Sequence, residues 1–178
     1  PSDAKALQKR GHSVGYHPWL GPFPTPTEFE AFLKKAYGKF SDRYGYVPSA
    51  TRNHCVIWTG WVDTARVESE IGVRIDLNGY PVLGFQSAVQ SGTLLPVKFM
   101  DANGKLLDIY SQFTVHSDDC LVEEKCGFPA LSAKQLVEES RKWIDISVRH
   151  QGMYHPTFHP TRMNQMGPPT ITWFRETL

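Results

Sequence analysis

The sequence predicts an α/β domain, because segments with the periodicity of strands alternate with segments with the periodicity of helices. The clearest alternation runs from a strand-like stretch at 50–58, through a helical stretch at 62–71 that Gly72 ends, to alternating residues at 73–77. A strand, a helix and a second strand in this order are typical of parallel pairing. The chain has 178 residues, 40% of them hydrophobic, which is enough for one folded domain over 1–178.

The first quarter of the chain contains two predicted helices and one short strand. A helical run at 4–10 ends at Gly11 and leads into a brief strand that ends at His17. Because this opening resembles the last turns of a helix, we expect at least one earlier strand to precede Pro1. A capping box at 25–28, with proline at the first helical position, then predicts a helix that runs to about Arg43 and is ended by Gly45.

The second half of the chain breaks the alternation with a β-hairpin. Two strand-like runs, 96–100 and 106–110, flank an Asp-Ala-Asn-Gly turn whose Asn-Gly pair tolerates positive φ. A second capping box at 132–135 predicts a helix, and residues 144–148 then have the composition of a buried strand that ends at His150.

Charge and cysteine content bound the function. The formal net charge is +1, without a basic block, which argues against nucleic acid or an anionic membrane as the main partner. No apolar run approaches the ~20 residues of a membrane span. Of three cysteines, Cys120 and Cys126 could close a small disulfide in an oxidising compartment, leaving Cys55, which we expect to be buried.

Histidine, arginine and aspartate side chains follow the predicted strands, at the position where α/β proteins place catalytic groups. Several polar groups that converge on one edge of a sheet form a better candidate site than any one of them alone. The candidates are His17, Arg52, His54, Asp76, His150, His155 and His159.

Four segments that contain candidate residues resemble motifs of the polysaccharide deacetylases, the metal-dependent carbohydrate esterases of family 4. They occur in the family's order, over most of the first 80 residues and again near residue 150. The segments are Gly-His-Ser-Val-Gly-Tyr-His at 11–17, Ala-Thr-Arg-Asn-His at 50–54, Val-Arg-Ile-Asp at 73–76, and Ile-Ser-Val-Arg-His at 146–150.

The resemblance implies a role for each matching residue. His17 would ligate the metal, with His54 as a second candidate ligand. Arg52 would orient the catalytic carboxylate, Asp76 would tune the catalytic histidine, and His150 would be the general acid. His155 or His159 could take the place of His150 as the acid, because the strand ends cannot be assigned uniquely from the sequence.

The resemblance also implies a fold and an activity. The fold would be an irregular (β/α) barrel of about seven strands, incomplete at its N-terminus, with the hairpin near 95–115 as an insertion. The activity would be hydrolysis of N-acetyl or similar acyl groups on a carbohydrate, assisted by a divalent metal, zinc by preference. An extracellular or periplasmic location would follow. The family's first motif, a strand with paired aspartates, would lie upstream of Pro1.

Two alternatives remain open at this point. Gly21 stands where the family has a second metal histidine, which favours a catalytically inactive carbohydrate-binding or structural domain derived from a deacetylase. A histidine-rich metalloenzyme with unrelated chemistry would instead use His54, His155 and His159 as ligands. The segment His-Ser-Asp-Asp at 116–119 also offers polar groups after a strand, but we interpret it as a solvated loop.

Overall fold

The computed structural model describes residues 2–19, 25–79, 94–123, 129–161, 163 and 167–177. Contacts within the chain divide these residues into two compact units. The described part of unit 1 comprises 2–19, 25–79 and 97–112, and that of unit 2 comprises 94–96, 113–123, 129–161, 163 and 167–177. The single domain expected over 1–178 stays a prediction.

Unit 1 is built on a four-stranded mixed sheet in the order β1-β2-β4-β3. Strands β1 (Ala50–Thr51) and β2 (Ile75–Asp76) are parallel, and β2 is also parallel to β4 (Leu106–Ser111). Strand β3 (Val97–Met100) pairs with β4 in the antiparallel direction. The predicted parallel strand–helix–strand arrangement is therefore confirmed. The strand predicted to end at His17 is reduced to one parallel bridge between Tyr16 and Thr51.

Unit 1 contains three described α-helices, of which the second begins and ends at its predicted capping residues. They are α1 (Ser2–Lys9), α2 (Pro26–Tyr44) and α3 (Asp63–Ile71). The Thr25 side chain accepts a hydrogen bond from the Glu28 amide at the start of α2, and Gly45 ends the helix at φ 81°. The apolar faces of α2 and α3 pack on the sheet around a core of Phe29, Leu33, Tyr37, Ala65, Val67, Val73, Phe99 and Ile109.

The predicted hairpin is confirmed, and it forms part of the central sheet of unit 1; its being an insertion relative to the family stays a prediction. Asp101 accepts hydrogen bonds from the amides of Asn103 and Lys105, and Gly104 adopts φ 79°, which together form the turn. Strand β4 then pairs with β2, so the hairpin supplies half of the sheet. The α/β class is confirmed. Among the described strands there is no closed barrel, only this sheet and a second sheet of two strands.

The described part of unit 2 includes a two-stranded parallel sheet and several helices. The strands are β5 (His116–Ser117) and β6 (Pro156–Thr157), and the helices include α4 (Asp118–Leu121), α5 (Ala133–Arg149) and α6 (Pro168–Thr177). The predicted capping box at Ser132 and Gln135 starts α5. Leu136, Val137 and Trp173 form the buried core, where α5 packs against α6.

One prediction for unit 2 is wrong, and another involves a residue outside the described part of the chain. The strand predicted at 144–148 is the last turns of α5, because the helix that starts at Ser132 continues through this apolar run. Cys120 is disulfide-bonded, as the sequence allowed, and its predicted partner Cys126 lies outside the described residues. In unit 1, Cys55 is a free and exposed thiol, so the prediction that it is buried is wrong.

None of the described helices is both long enough and apolar enough to span a membrane.

Candidate functional site

The parallel strands of unit 1 place polar residues together at their carboxyl ends. Thr51 pairs with Asp76 across β1 and β2, so the residues that follow each strand lie at the same edge of the sheet. The bridge at Tyr16 brings His17 to that edge as well, since the Arg52 amide donates to the Tyr16 carbonyl over 3.0 Å.

His17 and His54 are neighbours at this edge. Their ring centroids are 5.6 Å apart, and the Trp19 ring lies 3.8 Å from that of His54. The Nδ1 atom of His17 lies 2.6 Å from the Arg52 carbonyl oxygen. A carbonyl oxygen accepts only, so Nδ1 carries the proton and the lone pair of the neutral ring is on Nε2, the arrangement of many metal-binding histidines.

Asp76 is buried in a polar network directly behind this edge. Its carboxylate accepts a hydrogen bond from the Asn78 amide over 2.9 Å and another from the Asn78 side chain. The Asn53 amide in turn donates to the Asn78 side-chain oxygen over 2.6 Å, and the Asn53 side chain donates to Glu68. These contacts fix the loops that follow β1 and β2 relative to each other.

The network contains a second buried carboxyl group, that of Glu68 in α3. Burial, followed by repulsion from Asp76, raises the pKa of Glu68 well above its ordinary value, which favours the protonated form. Burial also raises the pKa of Asp76, although hydrogen bonds from Glu68 and Asn78 and the charge of Arg52 oppose the increase. Arg52 itself donates to the Leu77 carbonyl oxygen.

Unit 2 carries its own group of polar side chains at the ends of two parallel strands. Ser117 pairs with Thr157, which places the residues after β5 beside those after β6. Asp118 and Asp119 begin α4 directly after β5, and His159 follows β6 by two residues. Within the described residues these three form one group of possible metal ligands, with a ligand atom of each within 4.8 Å of the others.

Asp118 holds His159 through both of its carboxylate oxygens. Oδ1 lies 2.6 Å from Nδ1 of the imidazole, and Oδ2 accepts from the His159 backbone amide over 2.7 Å. The Asp118 side chain is fully buried, whereas 40% of the His159 side chain is exposed. The pair therefore combines a buried carboxylate with an imidazole that reaches the surface, which is the arrangement that orients a histidine for proton transfer.

The remaining candidate histidines occupy other positions. His150 caps the C-terminus of α5 and is exposed. It was proposed as the acid because it was predicted to follow a strand at 144–148, and that strand prediction is wrong. His155 precedes β6; its carbonyl oxygen accepts from the Val115 amide, and its ring lies 3.5 Å from the Thr114 hydroxyl. His155 thus precedes the two-residue strand β6 in sequence, and His159 follows it.

Two parts of these clusters were not predicted as site residues from the sequence. Residues 116–119 are not a solvated loop, because Ser117 and Asp118 are buried. Paired aspartates directly after a predicted strand were a signal for a strand-end site. Glu68 was not considered at all, yet it lies three residues after Ala65 and four after Thr64, on the buried face of α3.

Comparisons with known proteins show the fold. No protein-family model matches the chain, and no curated protein matches its sequence. The chain is similar to a crystal structure from Mycobacterium smegmatis described as a "putative polysaccharide deacetylase", with a TM-score of 0.67 and 15% identity. The match covers 99% of this chain and 59% of the other, so this chain spans less than two thirds of the length of its neighbour. The resemblance drawn from the motifs is supported at the level of the fold.

Proposed function

We propose that this chain is a hydrolase that removes N-acetyl or similar acyl groups from a carbohydrate. The observation that carries the proposal is the Asp118–His159 pair at the ends of β5 and β6, in a chain that shares its fold with a deacetylase-like protein. The pair supplies an oriented proton donor and acceptor beside a second carboxylate, Asp119. Amide hydrolysis requires such a group, because the leaving amine must gain a proton.

The proton chemistry follows from the hydrogen bonds of the pair. Asp118 accepts from Nδ1 of His159, which fixes the ring and leaves Nε2 to exchange protons at the exposed side of the imidazole. The buried negative charge of Asp118 also stabilises the imidazolium that forms when Nε2 takes a proton. His159 would therefore hold a proton at Nε2 and deliver it to the leaving amine.

A divalent ion, zinc by ligand type, is the alternative use of the same side chains. An imidazole nitrogen that binds a metal carries no proton, so in that case His159 would be a ligand and not the acid. Two carboxylates and one imidazole, those of Asp118, Asp119 and His159, are ligands that zinc accepts. His17 and His54 are the second candidate pair, since Nε2 of His17 carries the lone pair. When bound, such an ion polarises the amide carbonyl and lowers the pKa of a water molecule.

Acetate release from N-acetylglucosamine oligomers, measured with and without added zinc, tests the proposal. We expect His159→Ala and Asp118→Asn to lower the rate by a factor of about 10² or more, the usual contribution of a positioned acid. His150→Ala is the matched control: it removes an exposed histidine and should leave the rate unchanged. Equal rates for His159→Ala and the unmodified chain would exclude His159 as the acid.

Metal analysis of the same variants locates the ion. Loss of bound zinc in Asp119→Asn places it at the unit 2 cluster, and loss in His17→Ala or His54→Ala places it in unit 1. Binding of the oligomers without acetate release under any metal condition would favour the carbohydrate-binding alternative over a hydrolase.

A further inference from the structure

A second surface feature of unit 1 has no part in the proposed hydrolysis. It is a cavity of about 330 Å³ between the segment that leads to His17 and the C-terminal half of α2. This volume is at the lower end of the range of ligand pockets. Its lining includes two tyrosines, a phenylalanine and two basic residues, Tyr16, Phe40, Tyr44, Lys39 and Arg43.

The lining of this cavity contains a connected group of aromatic rings. Tyr16 and Phe40 have centroids 5.0 Å apart, and Phe40 and Tyr44 have centroids 4.6 Å apart. Phe40 is buried and holds the other two rings in place, whereas Tyr16 and Tyr44 are half-buried and keep part of each side chain at the surface. Rings fixed in this way present flat apolar faces at little entropic cost.

The two cations of the cavity lie one helical turn apart without an acidic partner. Lys39 and Arg43 are exposed at i and i+4 on α2, and neither forms an ion pair with a described residue. The Arg43 guanidinium lies 5.7 Å from the centroid of the Tyr44 ring. Asp42, the nearest acidic residue in sequence, does not line the cavity.

Two other basic residues of α2 and α3 are paired with carboxylates. Lys34 pairs with Glu30 over 2.7 Å, and Arg66 pairs with Glu30 over 3.0 Å and with Glu70 over 2.8 Å. Lys35 of α2, like Lys39 and Arg43, is exposed and forms no ion pair with a described residue, but it does not line the cavity. Two like charges at i and i+4 repel, and an anion bound between Lys39 and Arg43 would relieve this repulsion.

We propose that this cavity binds a six-membered ring that carries a carboxylate, with the ring on Tyr16 and Tyr44 and the carboxylate at Lys39 and Arg43. Arginine can pair with a carboxylate through two parallel hydrogen bonds, and aromatic faces accept the apolar face of a ring. Uronic-acid sugars and aromatic carboxylates share this chemistry. The inference is independent of the proposed hydrolysis, because it concerns binding alone and uses neither Asp118 nor His159.

Isothermal titration calorimetry of the full chain with trigalacturonate and, separately, with benzoate tests this inference. A neutral galactose trimer and inorganic sulfate serve as comparison ligands. We expect one of the two ring carboxylates to bind at least tenfold more tightly than either comparison ligand, and the tighter of the two identifies the source of the ring. Equal binding of the neutral trimer, or of sulfate, would overturn the proposal.

Variants separate the charge from the rings. Lys39→Gln with Arg43→Gln should weaken binding at least tenfold, and Tyr44→Ala should weaken it several-fold, whereas Tyr44→Phe should bind like the unmodified chain. The matched control, Lys9→Gln with Lys105→Gln, removes the same charge from exposed positions of unit 1 outside the cavity. An equal loss in this control would show a general charge effect, and unchanged binding in Tyr44→Ala would exclude the ring contact; either result overturns the proposal. Acetate release by the same variants shows independently whether the hydrolase function persists.

Discussion

At the scale of single residues, the candidate sites depend on ionisable groups that the fold has removed from water. Asp118 tolerates complete burial because His159 and the Asp119 amide satisfy its oxygens. For Glu68, burial and repulsion from Asp76 raise the pKa, which favours the protonated form. A buried carboxyl group is thus either surrounded by donors, as Asp118 is, or has its neutral form favoured, as Glu68 does.

Replacing Glu68 with glutamine should change how stability depends on pH. The pKa of Glu68 is raised by folding, so between its unfolded value near 4.5 and the higher folded value only the unfolded chain releases the proton. The unmodified protein therefore loses stability as pH rises through this interval, by up to about 1 kcal/mol per pH unit. Urea unfolding of Glu68→Gln at pH 5 and pH 8 should show that this loss has disappeared.

Glu138→Gln is the control for this experiment, because Glu138 is exposed on α5. If the difference in unfolding free energy between Glu68→Gln and the unmodified chain is the same at both pH values, Glu68 is not protonated in the fold.

His116 should give a pH dependence of the opposite sign. Burial lowers the pKa of its imidazole from 6.5 to about 4, and its Nδ1 is hydrogen-bonded to the Tyr154 hydroxyl at 2.9 Å. Between pH 6.5 and 4 the unfolded chain binds the proton and the folded chain does not, so acidification destabilises the fold. The full interval corresponds to at most about 3 kcal/mol, and partial solvation reduces this to about 1–2 kcal/mol.

The measurement is urea unfolding of His116→Gln at pH 7 and pH 4.5. Glutamine keeps an acceptor for Tyr154 but does not titrate, so the variant should lose less stability on acidification than the unmodified chain. His12→Gln removes an exposed histidine and should behave like the unmodified chain. A larger loss in His116→Gln than in the unmodified chain would contradict the assignment.

At the scale of elements, helix ends were predictable from the sequence, whereas short strands were not. Gly45 and Gly72 end α2 and α3 at positive φ, as the sequence indicated. Such signals are local, because a cap acts on its own turn of helix. Residues 144–148 were predicted as a strand from an apolar run alone, and an apolar run of five residues fits a buried strand and one face of a helix equally well.

Two glycine-to-alanine substitutions should change stability in opposite directions. Gly72 adopts φ 110° at the end of α3, so Gly72→Ala should destabilise the protein by about 1–2 kcal/mol through backbone strain. Gly38 lies within α2, where an added Cβ meets open space, so Gly38→Ala should stabilise it by about 0.5–1 kcal/mol. Denaturant midpoints of the two variants test both signs. Stabilisation by Gly72→Ala would show that its backbone is not in the left-handed region.

At the scale of the whole molecule, the fold depends on pairings between distant parts of the sequence. Strand β4 completes the parallel part of the sheet although about thirty residues of chain separate it from β2. Leu33, Val73 and Ile109, from a helix, a loop and a strand, are all fully buried in the unit 1 core. Removing apolar volume there should affect the unit as a whole.

Leu33→Ala should therefore lower the free energy of unfolding by about 2–5 kcal/mol, because Leu33 has no exposed surface and its loss leaves a cavity. Lys35→Ala, at an exposed position of the same helix, should change it by less than about 0.5 kcal/mol. Thermal or urea unfolding distinguishes the two. A loss below about 1 kcal/mol in Leu33→Ala would show that the surrounding side chains refill the space.

The sequence by itself determined the α/β class, the limits of α2 and α3, and the hairpin, because each depends on local periodicity or on turn residues. The family resemblance came from four sequence motifs, and the C-terminal part of α5 was wrongly predicted as a strand. The sequence also placed His17, Arg52 and Asp76 after strands, although their roles, like those of His54 and His155, stay predictions. The tertiary structure alone decided which polar residues meet. Asp118 and His159 are 41 residues apart, and their hydrogen bond exists because β5 pairs with β6. Long-range strand pairing has no local signature, so the contact between Asp118 and His159 could not be predicted from the sequence. The burial of Glu68 had a local signal, its helical spacing from Thr64 and Ala65, which the prediction did not use.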